Sequence, residues 1–168
     1  MNELDKRIDV LEKGKVRGKT LLDIGVGPLS FIAARDFNCR VTNIDVSIEV
    51  LREAKKEAEK EKLNIEFECA DATNLPYKDD AFDVVVSYAA LHHINVDRRK
   101  DFIRETYRVA REKLIIAEYN KTGFNQIHPM NDYQPVNLDW LEKELSILGD
   151  VEKYSNKWMN IYMCYKGA

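Results

Sequence analysis

Three aspartates in the first half of the chain each lie at or just beyond the end of a short apolar run: Asp23, Asp45 and Asp71. Carboxylates accept hydrogen bonds from hydroxyl and amino groups. An acid about 20 residues beyond a glycine turn can accept from both hydroxyls of a ribose. A further acid can accept from an exocyclic amine such as that of adenine. Apolar neighbours such as Val46 can contact the faces of a purine ring, so this pattern predicts a nucleoside site.

The first of these acids precedes a glycine turn, Gly25-Val26-Gly27. Glycines let the backbone approach a ligand closely because no Cβ is in the way. Pro28 removes one of the N–H groups that would hold a phosphate, and Asp23 adds a negative charge nearby. Both features favour a ligand with a cationic centre and no phosphate, such as S-adenosylmethionine. By itself, the glycine spacing also fits a degenerate dinucleotide loop.

Alternating apolar segments predict the elements that position these acids. Strands are predicted over 20–24, 40–44, 65–69, 82–87, 114–118, 151–155 and 160–165. Helices are predicted over 2–14, 29–37, 48–62, 97–110 and 138–148. Pro28 suits a first helical position, and Ser47 and Asp97 are the predicted N-caps of the next two helices. The alternation predicts one α/β domain over residues 1–168, with helices on both faces of a parallel sheet and an antiparallel closing hairpin.

Together these motifs resemble the class I S-adenosylmethionine-dependent methyltransferases, and within them the small-molecule type of ubiquinone biosynthesis. The resemblance covers roughly residues 18–165. Residues 21–27 match the first motif of that family, and 79–85 leading to 90–94 are similar to its fourth-strand signature. The resemblance implies a Rossmann-like, doubly wound, seven-stranded sheet with an antiparallel last strand in a three-layer αβα sandwich. It also implies methyltransferase activity with S-adenosyl-L-methionine as the cofactor.

The resemblance further implies roles for individual positions. Gly25 and Gly27 would border the methionine moiety, and Asp45 would bind the ribose. Ser87 would lie beside the methionine moiety at the end of the fourth strand, and Asp71-Ala72 matches the adenine-binding segment. The predicted cofactor-binding residues are Asp23, Gly25, Gly27, Asp45, Val46, Asp71, Ala72 and Ser87.

Two positions depart from the family pattern. Leu29 stands where a third glycine is usual, and the run over 111–113 replaces a familiar Pro-Gly-Gly before the fifth strand. The spacing from Asp23 to Asp45 is about one position shorter than expected for the family. We therefore predict a slightly shortened loop, with Leu29 inside the helix and packing inward. In the alternative, Leu29 projects at the methionine moiety and weakens cofactor binding.

The candidate catalytic residues are His92, His93, His128 and Tyr133. Any of them could accept a proton, although a general base is needed only for an acceptor that carries one. One histidine of the adjacent pair would line the acceptor pocket or be a hydrogen-bonded structural residue. With one further histidine and no cysteine at ligand spacing, no metal site is predicted. The segment 119–136 is long for a connection, which predicts an active-site loop, with a plain surface loop as the alternative.

Bulk properties limit the classes of partner. A net charge of −3 and a pI near 5.7 disfavour a nucleic-acid partner. The basic stretch 13–19, which overlaps the predicted N-terminal lead-in helix region 1–18, leaves RNA as an alternative substrate. Cys39, Cys69 and Cys164 fit buried positions in a reducing compartment. A charged N-terminus without a long apolar run predicts no signal peptide, no membrane span and a cytoplasmic location.

The predicted function is therefore transfer of a methyl group by in-line displacement to an unidentified, small-molecule acceptor. No Asn-Pro-Pro-Tyr motif and no acidic cluster of the magnesium-dependent kind are present, which favours an oxygen, carbon or sulfur acceptor. Little chain is available to enclose a small substrate, so a homodimer or a partner chain would complete the site. The alternatives are a non-catalytic cofactor-binding partner subunit, and an RNA or protein methyltransferase working with a partner.

Overall fold

Short apolar runs such as Val84-Val85-Val86 form the strands of a central sheet. The computed structural model describes residues 1–130 and 132–167. The strands are β1 Thr20–Ile24, β2 Arg40–Asp45, β3 Ile65–Cys69, β4 Phe82–Tyr88, β5 Ala110–Tyr119, β6 Asp150–Ser155 and β7 Met159–Tyr165. Their spatial order is β3-β2-β1-β4-β5-β7-β6. All seven predicted strands are therefore present.

Most neighbouring strands run parallel. This holds for β1 with β2, β1 with β4, β2 with β3 and β4 with β5. In contrast, β7 is antiparallel to both β5 and β6. The connection 156–158 between β6 and β7 is too short for a parallel crossover. The predicted mostly parallel sheet with an antiparallel last strand is confirmed. Strand order reverses at β1 and β4, the point where a doubly wound sheet binds ligands.

Helices cover both faces of the sheet. They are α1 Glu3–Gly14, α2 Pro28–Asp36, α3 Ile48–Lys60, α4 Arg99–Val109, α5 Lys121–Ile127 and α6 Leu138–Leu148. Side chains alternate along a strand, so Leu21 packs into one core with residues of α1, α2 and α3. Leu22 packs into a second core with residues of α4 and α6. The predicted three-layer αβα arrangement follows from this alternation.

Two of the three predicted helix starts are confirmed. Pro28 is the first residue of α2, and the Ser47 hydroxyl accepts a 3.3 Å hydrogen bond from the Val50 N–H at the start of α3. The prediction that Asp97 caps the fourth helix is wrong. Asp97 lies in a 3₁₀ turn, and α4 begins at Arg99 without a side-chain cap. Tertiary hydrogen bonds of the buried Arg99 side chain hold this turn instead.

The segment 119–136 was predicted to be a loop throughout, but it contains the helix α5. The Asn120 side chain caps this helix by accepting a 3.0 Å hydrogen bond from the Gly123 N–H. A seven-residue helix with an internal glycine has little periodicity to detect. The strand β5 starts at Ala110 rather than at the predicted residue 114. The chain passes from α4 into β5 with no turn between them, consistent with the missing Pro-Gly-Gly.

Cysteine burial differs from the prediction at one position. Cys39 and Cys164 are buried as expected, whereas Cys69 is exposed. Cys69 ends β3, which is an edge strand covered by fewer neighbours than the strands inside the sheet. Across the residues that the structure describes, no helix combines the length and the apolar character needed to cross a membrane.

Candidate functional site

A cavity of about 670 Å³ opens at the carboxyl ends of β1, β2 and β4. Its size is within the range of small-molecule and cofactor sites. It is lined by seven of the eight predicted cofactor-binding residues: Asp23, Gly25, Gly27, Asp45, Val46, Asp71 and Ala72. Residues separated by up to 49 positions in sequence therefore share one site, because the ends of parallel strands meet at one edge of the sheet.

The glycine turn forms one wall of this cavity. Gly25 has a φ of +86°, in the left-handed region where a side chain would be strained. Gly27 precedes α2 in extended backbone, and a Cβ added there would meet no atom within 4 Å. Such a Cβ would project into open space, so the glycine leaves room for a ligand against the backbone.

Leu29 packs in the apolar core and also forms part of the cavity wall. Its side chain is 2% exposed and clusters with Leu21 and Ile32. The prediction that Leu29 packs inward within the helix is confirmed. The missing third glycine therefore reflects a helix that begins early, at Pro28.

Asp45 connects the glycine turn to the end of β2. Its Oδ2 accepts a 3.1 Å hydrogen bond from the Val26 N–H, and its Oδ1 accepts a 2.9 Å hydrogen bond from the Ser47 N–H. These donors fix the carboxylate, and each oxygen keeps capacity for another hydrogen bond. Beside it, Val46 is 71% exposed and offers apolar surface to a ligand.

Asp71 is held in a similar way at the end of β3. Its Oδ1 accepts from the N–H and the hydroxyl of Thr73, at 2.8 and 2.7 Å. The hydrogen bond from the Thr73 N–H is the main reason that the pKa of Asp71 is lowered. Its Oδ2 has no hydrogen-bond partner among residues 1–130 and 132–167. An ionised oxygen next to the buried Ala72 is thus available to a donor in the cavity.

Asp23 lies deeper than the other two acids and is 2% exposed. The Ser30 hydroxyl donates to its Oδ2 at 2.6 Å. Burial raises the pKa of Asp23 from 3.8 to about 7, and the Ser30 hydrogen bond and the charge of Arg7 offset part of that rise. Near neutral pH this carboxyl therefore changes between neutral and negative, and a cation in the cavity would favour the negative form.

Ser87 is the predicted cofactor residue that does not line the cavity. Its side chain is fully buried, and its hydroxyl lacks a hydrogen-bond partner within the described part of the chain. The chain reaches the cavity one residue later, at Tyr88, Ala89 and Ala90. The shift follows from strand alternation, because neighbouring side chains point to opposite faces.

Arg7 and Tyr88 are two of the cavity residues that were not predicted from the sequence. Arg7 of α1 lines the cavity, and its guanidinium carbon lies 4.5 Å from the ring centroid of Tyr88. The position of α1 beside the glycine turn depends on tertiary packing, so the sequence spacing could not predict that Arg7 lines the cavity. Tyr88 could have been found from its place at the end of β4.

The candidate catalytic residues gather at the far end of the cavity. His93 and Tyr133 line it, with their ring centroids 4.4 Å apart. His92 lies behind them at 3% exposure, and its Nε2 is 3.0 Å from Nε2 of His128. Partial burial lowers the pKa of His93, and the neighbouring His92 and His128 lower it further.

Glu118, at the end of β5, supports this histidine group and was missed in the sequence. Its side chain is 1% exposed, and its Oε1 lies 2.7 Å from Nδ1 of His92. It also accepts backbone N–H groups of Tyr119 and His92, at 3.0 and 3.3 Å. A carboxylate at a strand end, next to the apolar run 114–117, was the available signal.

The segment after β5 is fastened to the site through Arg99. Its guanidinium donates to the backbone carbonyls of Gln134 and Pro135, at 2.7 and 3.1 Å, and to that of His92 at 3.3 Å. The segment that carries His128 and Tyr133 is therefore attached to the turn that carries the histidine pair. The sequence argument against a metal site rested on there being one further histidine and no cysteine at ligand spacing, and folding brings that histidine, His128, next to the pair.

The chain is similar in sequence to known proteins. A family model described as "Methyltransferase domain" matches residues 21–113, from β1 into β5. Norajmaline N-methyltransferase of Rauvolfia serpentina is 38% identical over 96 residues, covering 55% of this chain and 32% of that protein. The ubiquinone/menaquinone biosynthesis C-methyltransferase UbiE of Ruegeria sp. (strain TM1040) is 28% identical over 144 residues, covering 82% and 56%. The chain thus spans about a third and just over half of these two relatives.

A solved structure agrees at the level of the fold. Magnesium protoporphyrin IX methyltransferase (ChlM) from Synechocystis PCC 6803, with bound SAH, superposes with a TM-score of 0.76 at 19% identity. The match covers 97% of this chain and 81% of that one.

Proposed function

The chain belongs to the methyltransferase domain family, and on that premise we propose that it transfers a methyl group from S-adenosyl-L-methionine to a small-molecule acceptor by in-line displacement. The observation that carries the proposal is the convergence of Asp23, Asp45 and Asp71 on one cavity beside an open glycine turn. Acids at three successive strand ends match a nucleoside joined to a cationic group better than they match a pyrophosphate.

The nucleoside half of the cofactor would be held by Asp45 and Asp71. Backbone donors orient both carboxylates and leave them able to accept from ribose hydroxyls and from the adenine amine. The exposed Val46 side chain supplies an apolar surface for the purine ring. These contacts favour an adenosine group without requiring any phosphate contact.

The methionine half would lie along the glycine turn. Gly27 leaves space against the backbone, and Asp23 and Arg7 line the same cavity with opposite charges. Asp23 in its ionised form would attract the ammonium group, and Arg7 would attract the carboxylate. The charge pattern of this end therefore fits an amino acid.

When bound, the cofactor supplies a methyl group on a positively charged sulfur. The protein's part is to align the acceptor with that methyl group and to exclude water, and alignment alone accelerates such reactions greatly. His93 and Tyr133 line the cavity and would contact the acceptor. His92 and His128 lie behind them and could receive a proton from an acceptor that carries one.

Turnover tests the proposal. The protein is incubated with S-adenosylmethionine and pools of oxygen, sulfur, carbon and nitrogen nucleophiles, and the demethylated cofactor is measured. We expect acceptor-dependent product from at least one small-molecule pool. Cofactor binding without turnover on any pool would instead indicate a non-catalytic subunit, and turnover only with RNA or protein would contradict a small-molecule acceptor.

Asp45→Ala tests the cofactor site itself. We expect a loss of cofactor affinity of about 1–3 kcal/mol, because a charged acceptor of hydrogen bonds is removed. Asp139→Ala is the matched control, since Asp139 is exposed on α6 and does not line the cavity. Calorimetric affinities that are equal for the two variants would remove Asp45 from the proposed ribose site.

A further inference from the structure

All three histidines of the chain converge behind the acceptor end of the cavity. His92 and His93 come from the 3₁₀ turn Leu91–His93 after β4, and His128 follows the end of α5. One ring nitrogen of each lies within 4.8 Å of the others. Chance rarely brings the whole histidine content of a chain to one point, and imidazole nitrogen is a preferred ligand of first-row transition metals.

Glu118 holds His92 in the form that a metal ligand needs. Its carboxylate is surrounded by N–H groups and acts as an acceptor, so Nδ1 of His92 donates to it at 2.7 Å. Nε2 of the same ring is then left with its lone pair and points at His128. A buried carboxylate on the second nitrogen of a histidine is the usual outer partner of a metal-binding histidine.

The distances are close to those of a bound ion. Two nitrogens about 2.0–2.1 Å from one tetrahedral zinc ion are about 3.3 Å apart, and the two Nε2 atoms here are 3.0 Å apart. His93 is the farther ligand, with a ring nitrogen still within 4.8 Å of the other two, and its exposed ring would turn toward them on binding the ion. Three histidine ligands leave one position open in a four-coordinate site.

We propose that His92, His93 and His128 bind one divalent transition-metal ion of the zinc class, with Glu118 as the outer partner of His92. The nearby charges are compatible with a cation. Glu118 carries a negative charge at the site, and Asp45 acts on His93 from across the cavity. The cation beside them is Arg99, whose guanidinium is engaged by backbone carbonyls.

The open position of this ion would face the cavity that His93 lines. If the proposed methyl transfer is correct, on which this step rests, such a position favours acceptors with an oxygen or sulfur donor over carbon acceptors. The ion itself does not depend on that function, because its ligands and the outer carboxylate are all side chains of this chain.

Metal binding is measured on the full chain without cofactor or acceptor. The protein is stripped with a chelator and titrated with Zn²⁺ by calorimetry, and with Co²⁺ by visible absorption, which reports four-coordinate geometry. We expect one ion per chain and a rise in the thermal unfolding midpoint on adding Zn²⁺. The Zn²⁺ affinity of His128→Ala should fall by more than about 100-fold, and that of Glu118→Gln by about 10–100-fold.

Controls separate this site from adventitious binding and from misfolding. Asn125→Ala changes an exposed residue on α5, and Cys69→Ser removes the exposed thiol, so both should bind Zn²⁺ like the parent. Far-UV circular dichroism of the metal-free variants reports folding. If folded His128→Ala binds Zn²⁺ as well as the parent, or the parent binds none, the site is a hydrogen-bonded histidine pair and the proposal is overturned. Because these measurements involve no methyl transfer, they fail or succeed separately from the proposed function.

Discussion

At the scale of single residues, Asp23 combines two properties that rarely occur together. It is almost fully buried, yet its oxygens lie at the wall of a cavity beside the half-buried Arg7. A buried acid without a cationic partner lowers the free energy of unfolding of the ligand-free protein, because its ionised form lacks solvation. Ser30 offsets only part of that cost with one short hydrogen bond.

This cost predicts a pH dependence of stability. The pKa of Asp23 is raised from 3.8 to about 7 in the folded chain, so between these values the folded state holds more protons than the unfolded state. Stability from this group is therefore fully present below about pH 4 and is lost as the pH rises through 7. Relative to Asp23→Asn, the parent should lose up to about 4 kcal/mol across this window.

The measurement is urea unfolding of both proteins from pH 4 to pH 8. Taking the difference between parent and variant cancels the titration of all other groups. A difference that stays constant with pH would show that Asp23 has an ordinary pKa. A cationic ligand should reduce the difference, since it stabilises the ionised carboxylate.

The sequence predicted the placement of residues whose position depends only on where a strand ends. Asp45 and Asp71 are such residues, and both line the cavity. Ser87 differs, because it is buried and the chain reaches the cavity at Tyr88 instead. Arg7 was out of reach, because its position depends on how α1 packs across the sheet.

At the scale of elements, α5 depends on its packing rather than on its own residues. It has seven residues, fewer than an isolated helix needs for stability in water. Its cap is Asn120, whose side chain also donates to the carbonyls of Asn156 and Lys157. The helix that delivers His128 is thus fixed against the β6–β7 connection.

At Gly123 the backbone of α5 packs closely against the backbone of Trp158 in the β6–β7 connection. A Cβ added there would overlap the carbonyl oxygen of Trp158 and lie 3.0 Å from the Tyr119 ring. We expect Gly123→Ala to lower the free energy of unfolding by about 2 kcal/mol, the typical size of an overpacking cost, although alanine is the better helix former.

Gly167→Ala is the matched control, because a Cβ there meets no atom within 4 Å. Denaturant unfolding of the two variants gives the comparison. Equal stability of Gly123→Ala and the parent would mean that α5 is free to shift away from the hairpin.

Helix boundaries were predictable where a local side chain sets them and not elsewhere. Pro28 and Ser47 act within their own turn, so the starts of α2 and α3 could be predicted. The start of α4 depends on Arg99 and on carbonyls some 35 residues away. The helix α5 depends on a glycine packed against another element, which has no signature in the local sequence.

At the scale of the whole molecule, the sheet divides the site into two ends. The ends of β1, β2 and β3 supply the acids and the glycine turn, and those of β4 and β5 supply the histidines and Glu118. Strand order reverses between these two groups, so cofactor and acceptor would meet at the switch point. The parallel sheet and the acids at its strand ends were predictable from the alternation of strands and helices, whereas the histidine group with Glu118 was not.

The acceptor end was less predictable than the cofactor end for a physical reason. Cofactor contacts come from strand ends, whose positions the sheet topology determines. The acceptor contacts come from a 3₁₀ turn, a short helix and the segment with Tyr133, which are held by long-range hydrogen bonds. Such contacts leave no periodic pattern in the sequence.

The identity of the cofactor is central to the proposed methyl transfer, and calorimetry on the parent protein tests it most directly. S-adenosylmethionine, its demethylated product and NAD are each titrated into the full chain. We expect the first two to bind with one site per chain and NAD not to bind, because Pro28 removes a phosphate donor and Asp23 repels a phosphate. Binding of NAD without binding of S-adenosylmethionine would contradict the proposed cofactor and the methyl transfer that depends on it.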